Sequence, residues 1–148
     1  MPAPHSMATL TLDEQLTARG LQLLGACEGL SQRPDLLAQC ALMNDFTAAE
    51  ADLLGASMLH VRAKPGQLLI AEDEPGDWMM VLLRGTVDVG KRKVGAGSDE
   101  REPGDTTRLA VLREGAAIGE MSMFDGEPRY ASCWALSEIE AAVLLGGR

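Results

Sequence analysis

The residues with the most chemistry in this chain lie between Gly115 and Ala135, in the run GAAIGEMSMFDGEPRYASCWA. A Gly-Glu pair, Gly119 and Glu120, precedes a short apolar segment; a Gly-x-Pro-Arg turn, Gly126 to Arg129, then leads into a strand-like run. The spacing predicts a short helix from Glu120 to Phe124 that joins the acid to the arginine. Together the two side chains could grip a small ligand that carries both hydroxyls and a phosphate. Arginine meets an anion with a planar fork of donors, a geometry that lysine lacks. Glutamate accepts a hydrogen bond from a sugar hydroxyl, the first amides of the helix add positive potential, and Gly119 lets the backbone come close. Either residue alone is a weak signal, because Gly-Glu is a common dipeptide and an arginine after proline is more often solvated. The combination carries the reading.

Strand parity bears on the same point. If Arg129 opens a strand, Ala131, Cys133 and Ala135 share its face, while Tyr130, Ser132 and Trp134 share the other. An arginine beside three small residues suits a pocket wall with room for a ligand. A buried guanidinium there needs a partner when no ligand is bound, and Glu120 is the expected one.

The elements that must position these residues fall into two parts. Residues 1–46 read as a tail and helical extension, with Met1 to Met7 set aside as a proline-containing tail. Thr11-Leu-Asp-Glu14 and Thr47-Ala-Ala-Glu50 both fit the capping box that starts a helix. The first helix is expected to run to about Gly25, and Pro34 to Asn44 to form another, giving a helical N-terminal third up to about Ala56. From Ser57 the texture becomes short apolar runs between turns: Met58–Arg62, Gln67–Ala71, Trp78–Leu83, Thr86–Val89, Leu109–Leu112, Arg129–Leu136 and Glu140–Leu145. Glu72 to Asp77 reads as a polar turn and Lys93 to Thr107 as a long Gly-rich loop. The pattern predicts a mainly β domain with some α: a jelly-roll-like barrel of about eight strands over residues 47–148, with N-terminal helices and a short helix in the 119–126 segment.

Composition narrows the function. A formal net charge of −9 disfavours nucleic acid and anionic membranes, since both require a basic surface. Lys91-Arg-Lys93 is too short to reverse that, and is read as solvated. Cys27, Cys40 and Cys133 are odd in number and lack Cys-x-x-Cys spacing, which suggests idle thiols of a reducing compartment; cytoplasmic is the expected location. His60 has no second ligand at metal spacing, so no metal and no cofactor is expected. Ser122 and Ser132 have no evident base, which leaves a hydrolase unsupported. The acidic run 72–77 lacks the spaced ligands of a calcium loop. Met79, Met80, Met121 and Met123 are expected to fill the core.

The segment 115–135 resembles the phosphate-binding cassette of the cyclic nucleotide-binding domain family. That family includes regulatory subunits of cyclic-nucleotide-dependent kinases, certain ion channels and bacterial transcription regulators of the catabolite-activator type. KPGQLLIAEDEPGDWMMVLLRGTVDV, with turns at Gly66, Gly76 and Gly85, is similar to the family's barrel strands, so the resemblance spans about Thr47 to Leu145. It implies a regulatory sensor and not an enzyme, with Gly119, Glu120, Met121, Ser122, Arg129, Tyr130 and Ala131 at the ligand. Arg129 would take the cyclic phosphate, Glu120 the ribose 2′-hydroxyl, and the amides near Met121 and Ser122 would assist, with cAMP favoured over cGMP. Two features depart from the pattern. Tyr130 stands where the family often has Ser, Thr or Ala, and could stack on ligand, point outward or block the entrance. The family's C-terminal lid helix is also not evident after Leu144-Leu-Gly-Gly, so either the chain is shortened or a lid comes from the N-terminal helices or a partner. The alternatives are the sensor half of a transcription regulator, or a barrel that has lost nucleotide binding and serves as an interaction module. A homodimer or an effector protein is the expected macromolecular partner.

Overall fold

A computed structural model of the chain describes residues 11–92 and 106–146. Among them nine strands form two antiparallel sheets that close on each other as a barrel, with helices on one side. Helix α1 (Leu12–Ala18) is followed by strand β1 (Gln22–Ala26), a 3₁₀ turn (Leu30–Gln32), and helices α2 (Pro34–Gln39) and α3 (Ala48–Ala56). Then come β2 (Leu59–Ala63), β3 (Leu68–Ile70), β4 (Trp78–Arg84), β5 (Val87–Arg92), β6 (Thr106–Leu112) and β7 (Ala117–Ile118). Helix α4 (Glu120–Asp125), β8 (Ser132–Ala135) and β9 (Ile139–Leu145) complete the described chain. One sheet has the order β1-β2-β9-β4-β7, the other β3-β8-β5-β6.

Both capping boxes form. Thr11 and Glu14 exchange side-chain-to-backbone hydrogen bonds at the start of α1, as do Thr47 and Glu50 at the start of α3. The first helix stops well short of Gly25, however. Gly20 ends it with φ 85°, and residues 22–26 pair with β2 through Gln22–Arg62 and Leu23–Val61. Tertiary pairing overrides the helical spacing of leucines here, so the N-terminal third is a mixed layer and not all helix. α2 ends at Gln39, and β6 begins at Thr106, inside the stretch read as a loop. The rest of that stretch, 93–105, lies outside the described residues.

Strand β4 explains the architecture. Trp78, Met80 and Leu82 point into the barrel with Val61, Leu69, Ile70, Ile118 and Ile139, whereas Met79, Val81 and Leu83 pack outward against Leu30, Leu36, Met43 and Met58. Alternate residues face opposite sides of a strand, so an unbroken apolar run must be covered twice. The 3₁₀ turn, α2 and α3 are that second cover, whereas Leu16 of α1 joins the barrel core. Met79 and Met80 therefore fill core as expected, but Met121 does not: it is 67% exposed on the outer face of α4.

At the β2–β9 seam His60 Nε2 lies 2.8 Å from Glu140 Oε1, with Arg62 Nη2 3.5 Å from Glu140 Oε2. Burial pushes the Glu140 carboxyl up, but the hydrogen bond and charge of His60, with those of Arg62, outweigh it and hold the group below its ordinary value. A carboxylate depressed in the folded state adds stability above its unfolded pKa and loses it as pH falls through the folded value. Glu140→Gln is therefore expected to flatten the decline of Tm between about pH 5 and pH 3. Thermal unfolding across that range checks this; a slope equal to the wild type's would count against it.

Candidate functional site

The site residues are delivered by one turn, one short helix and one loop. Gly119 caps α4 in the left-handed region, at φ 82°, where a side chain would cost about 1–2 kcal/mol. A β-carbon there would also fall 2.6 Å from Arg129 Nη1 and 3.0 Å from Ile70 Cδ1. Residues 120–125 then form α4, and Gly126, again left-handed at φ 75°, ends it. The helix's first internal bond runs from Met123 N–H to the Gly119 carbonyl at 3.4 Å, and the amides of Glu120, Met121 and Ser122 precede it.

Arg129 is the centre of the arrangement, and is 2% exposed. Its Nη1 donates to the Gly119 carbonyl at 2.8 Å and its Nη2 to the Trp78 carbonyl at 2.7 Å. The guanidinium carbon lies 4.7 Å from the Trp78 ring centroid, a cation–π contact in a desolvated place. Nε is buried with no hydrogen-bond partner among the described residues. The main chain is fixed too: Arg129 N–H donates to the Glu74 carbonyl at 2.9 Å, and Asp73 N–H to the Arg129 carbonyl at 2.8 Å. Burial pushes the guanidinium below its ordinary value; the charges of Glu74 and Asp77 push it up, and Arg19 opposes them.

The expected Glu120–Arg129 pairing is not what the structure shows. The guanidinium sits behind the start of α4 on two backbone carbonyls, and the carboxylates acting on it are Glu74 and Asp77. Glu120 stands half-buried on the first turn of α4, and Ser122 is buried behind it. The strand β8 begins at Ser132, three residues after Arg129, yet the alternation reaches back through it. Arg129, Ala131, Cys133 and Ala135 are buried, and Tyr130 is 70% exposed. Ser132 breaks the pattern: it is fully buried because its hydroxyl accepts the Glu72 N–H at 2.8 Å. Burial pushes the Cys133 thiol up to about 12, so it is inert as a nucleophile.

The Tyr130 side chain is 70% exposed. Lys91 Nζ lies 4.2 Å over its ring and donates to its carbonyl at 2.9 Å. Lys91 also bonds Glu72 at 3.2 Å, and Arg92 bonds Asp73 at 2.9 Å. Lys91 and Arg92, read as solvated, thus fasten Glu72 and Asp73 of the acidic loop to β5. Glu74 was not singled out from the sequence, where only its acidic neighbours marked it. Neither was the Trp78 carbonyl, because a backbone acceptor leaves no trace in residue type.

A cavity of about 830 Å³ lies beside the cassette, between α1 (Leu12, Gln15), the 73–77 loop, and Ser122, Gly126 and Pro128. Among the described residues no group of three or more His, Cys, Asp or Glu gathers at metal-binding distance. No helix among them is long and apolar enough to cross a membrane.

Residues 60–146, more than half of the chain, match the family model for the cyclic nucleotide-binding domain. The chain belongs to the cyclic nucleotide-binding domain family. Its barrel superposes on the crystal structure of a cyclic nucleotide-binding domain from Methylobacillus flagellatus with a TM-score of 0.70 and 32% identity, covering 84% of this chain and 66% of that one. It is 27% identical over 107 residues to a CRP-like cAMP-activated global transcriptional regulator of Mycobacterium tuberculosis, covering 72% of this chain and 44% of the regulator. It is 24% identical over 131 residues to a cAMP-dependent protein kinase regulatory subunit of Yarrowia lipolytica, covering 88% of this chain and 32% of the subunit. The chain thus spans less than half the length of these two relatives. The cyclic nucleotide-binding match leaves α1, β1, α2 and α3 outside it.

Proposed function

We propose that this domain is a cyclic nucleotide sensor, with no catalytic role, in which the segment 119–131 holds the ligand. The observation that carries the reading is the buried Arg129 guanidinium docked at 2.8 Å on the Gly119 carbonyl, beside the first, internally unbonded amides of α4. A cyclic phosphate brought to that point gains a charge-assisted contact with Arg129 and hydrogen bonds from the amides of Met121 and Ser122. Glu120, on the same turn, receives the ribose 2′-hydroxyl. Ala131 forms the wall one residue beyond Tyr130, which stands at the rim. The M. tuberculosis and Y. lipolytica relatives are named for activation by, or dependence on, cAMP, and this supports cAMP as the preferred ligand. Ligand contacts that differ between two states of the cassette would shift their populations and pass a signal to flanking elements or to an effector.

The test is calorimetric titration with cAMP, cGMP and 2′-deoxy-cAMP. Saturable binding is expected, tightest for cAMP. Glu120→Ala should lose about 1.5–3 kcal/mol with cAMP, the range for a hydrogen bond to a charged group, and much less with the deoxy analogue. Equal losses with both would remove Glu120 from the ribose. Absence of heat and of any thermal shift with all three ligands would replace the sensor with an interaction module.

A further inference from the structure

We propose that the groove between α1, the 73–77 loop and the cassette docks a basic amphipathic helix of a partner protein. This goes beyond nucleotide binding and does not depend on it, since the groove shares only Ser122 with the residues placed at the nucleotide. The space is about 830 Å³, and Leu12, Met123 and Leu145 give it an apolar lining. Phe124 stands at its lip, between the lining residues Met123 and Gly126, and is 67% exposed. Met121, three residues earlier and so on the same side of α4, is equally exposed. The chain has only two phenylalanines, and one of them is left in water here. Exposed aromatic and methionine side chains beside an apolar groove mark an interface.

Charge selects the partner. Asp73, Glu74 and Asp77 line the groove, and no Lys, Arg or His does. Arg92 pairs with Asp73 and Arg19 with Glu74, whereas the Asp77 carboxylate has no hydrogen bond or ion pair among the described residues. Asp125 and Glu127, both exposed, flank the lining residue Gly126 and add to the negative rim. A basic segment gains from all of these. A second copy of the chain does not, because a two-fold contact would set the same carboxylates against each other. The form of the groove selects a helix. Leu145 is the last residue of β9, an interior strand of its sheet, and no other lining residue lies in a strand. An extended peptide therefore finds no sheet edge along the groove, and side chains at helical spacing must carry the affinity.

The test is fluorescence anisotropy of a labelled peptide of about 18 residues, five helical turns, titrated with the full chain. The peptide carries leucines on one face and lysines on the other. Saturable binding is expected, with a scrambled peptide of the same composition about tenfold weaker. Joint Phe124→Ser and Leu145→Ser substitution, at two exposed positions, should also weaken binding about tenfold. Asp77→Asn should weaken it about two- to fivefold, the range for an exposed ion pair. Asp45→Asn removes the same charge from an exposed position outside the groove and should change nothing. Thermal unfolding confirms that each variant is folded. The leucine–lysine peptide should also slow amide exchange at 121–128 and leave 48–56 unchanged. Equal affinity for the two peptides, or equal effects of Asp77→Asn and Asp45→Asn, overturns the proposal, since either reduces it to general attraction between lysine and an acidic protein. Undiminished binding after the Phe124→Ser and Leu145→Ser substitutions overturns it as well. Sedimentation of the chain alone examines the other occupant: a dimer dissolved by those substitutions would give the groove to a second copy. The nucleotide titrations are separate, so failure here leaves the sensor reading standing.

Discussion

Arg129→Ala is expected to weaken cyclic nucleotide binding by about 2–5 kcal/mol, the range for removing one partner of a buried charge pair. The side chain is nearly inaccessible, so its charge acts through protein and not through water. It is also held ready: two carbonyls at 2.8 and 2.7 Å and the Trp78 ring orient the fork before any ligand arrives. Little rotamer entropy then remains to be lost on binding, and the phosphate meets a fixed donor. Arg129→Lys should recover little of the loss, because a single ammonium on a flexible stem does not span the Gly119 and Trp78 carbonyls together. Calorimetric titration with cAMP gives the number, with thermal unfolding run alongside. A loss under about 1 kcal/mol in a folded variant would mean that the phosphate contact lies elsewhere.

Most of this site was legible because the chemistry resides in residue types. The Gly-Glu pair, the Pro-Arg turn and the short apolar helix between them appear where their spacing puts them, and the burial of Arg129, Ala131, Cys133 and Ala135 follows from strand parity. The barrel was legible for a related reason, since turns at Gly66 and Gly85 separate apolar runs too short for helices. What escaped depends on partners distant in sequence. The leucines after Thr11 have helical spacing, yet residues 22–26 become a strand because β2 offers an open edge, and nothing local announces that. Arg129 was given Glu120 as a resting partner because a carboxylate stands nearby in sequence, whereas the folded chain offers it carbonyls of Gly119 and Trp78. Backbone acceptors are invisible to a reading of side chains. Lys91 and Arg92 looked solvated for the opposite reason: their acidic partners lie 19 residues away, across a turn.

Gly76→Ala is expected to empty the arginine's slot without removing the arginine. A β-carbon at position 76 would fall 2.3 Å from Arg129 Nε, 2.4 Å from Cζ and 2.7 Å from Cδ, so three atoms along the side chain would have to move. The guanidinium has no slack to give, because a shift of that size breaks the bonds to the Gly119 and Trp78 carbonyls. Gly76 is not in the left-handed region, so alanine brings no backbone strain there, and the whole effect is steric. Overpacking a filled site costs about 1–3 kcal/mol, and nucleotide affinity should fall by that amount or more as the fork leaves its position. Stability should suffer less. Displacing a buried charge toward water returns its solvation and offsets part of the lost packing. The two readouts then separate: titration with cAMP shows a large loss, while Tm moves by a few degrees at most, about what 1 kcal/mol produces in a domain of this size. A variant that unfolds outright would show that the slot is structural before it is functional. One that binds normally would place the phosphate away from Arg129, and the assignment of the cassette would fall with it.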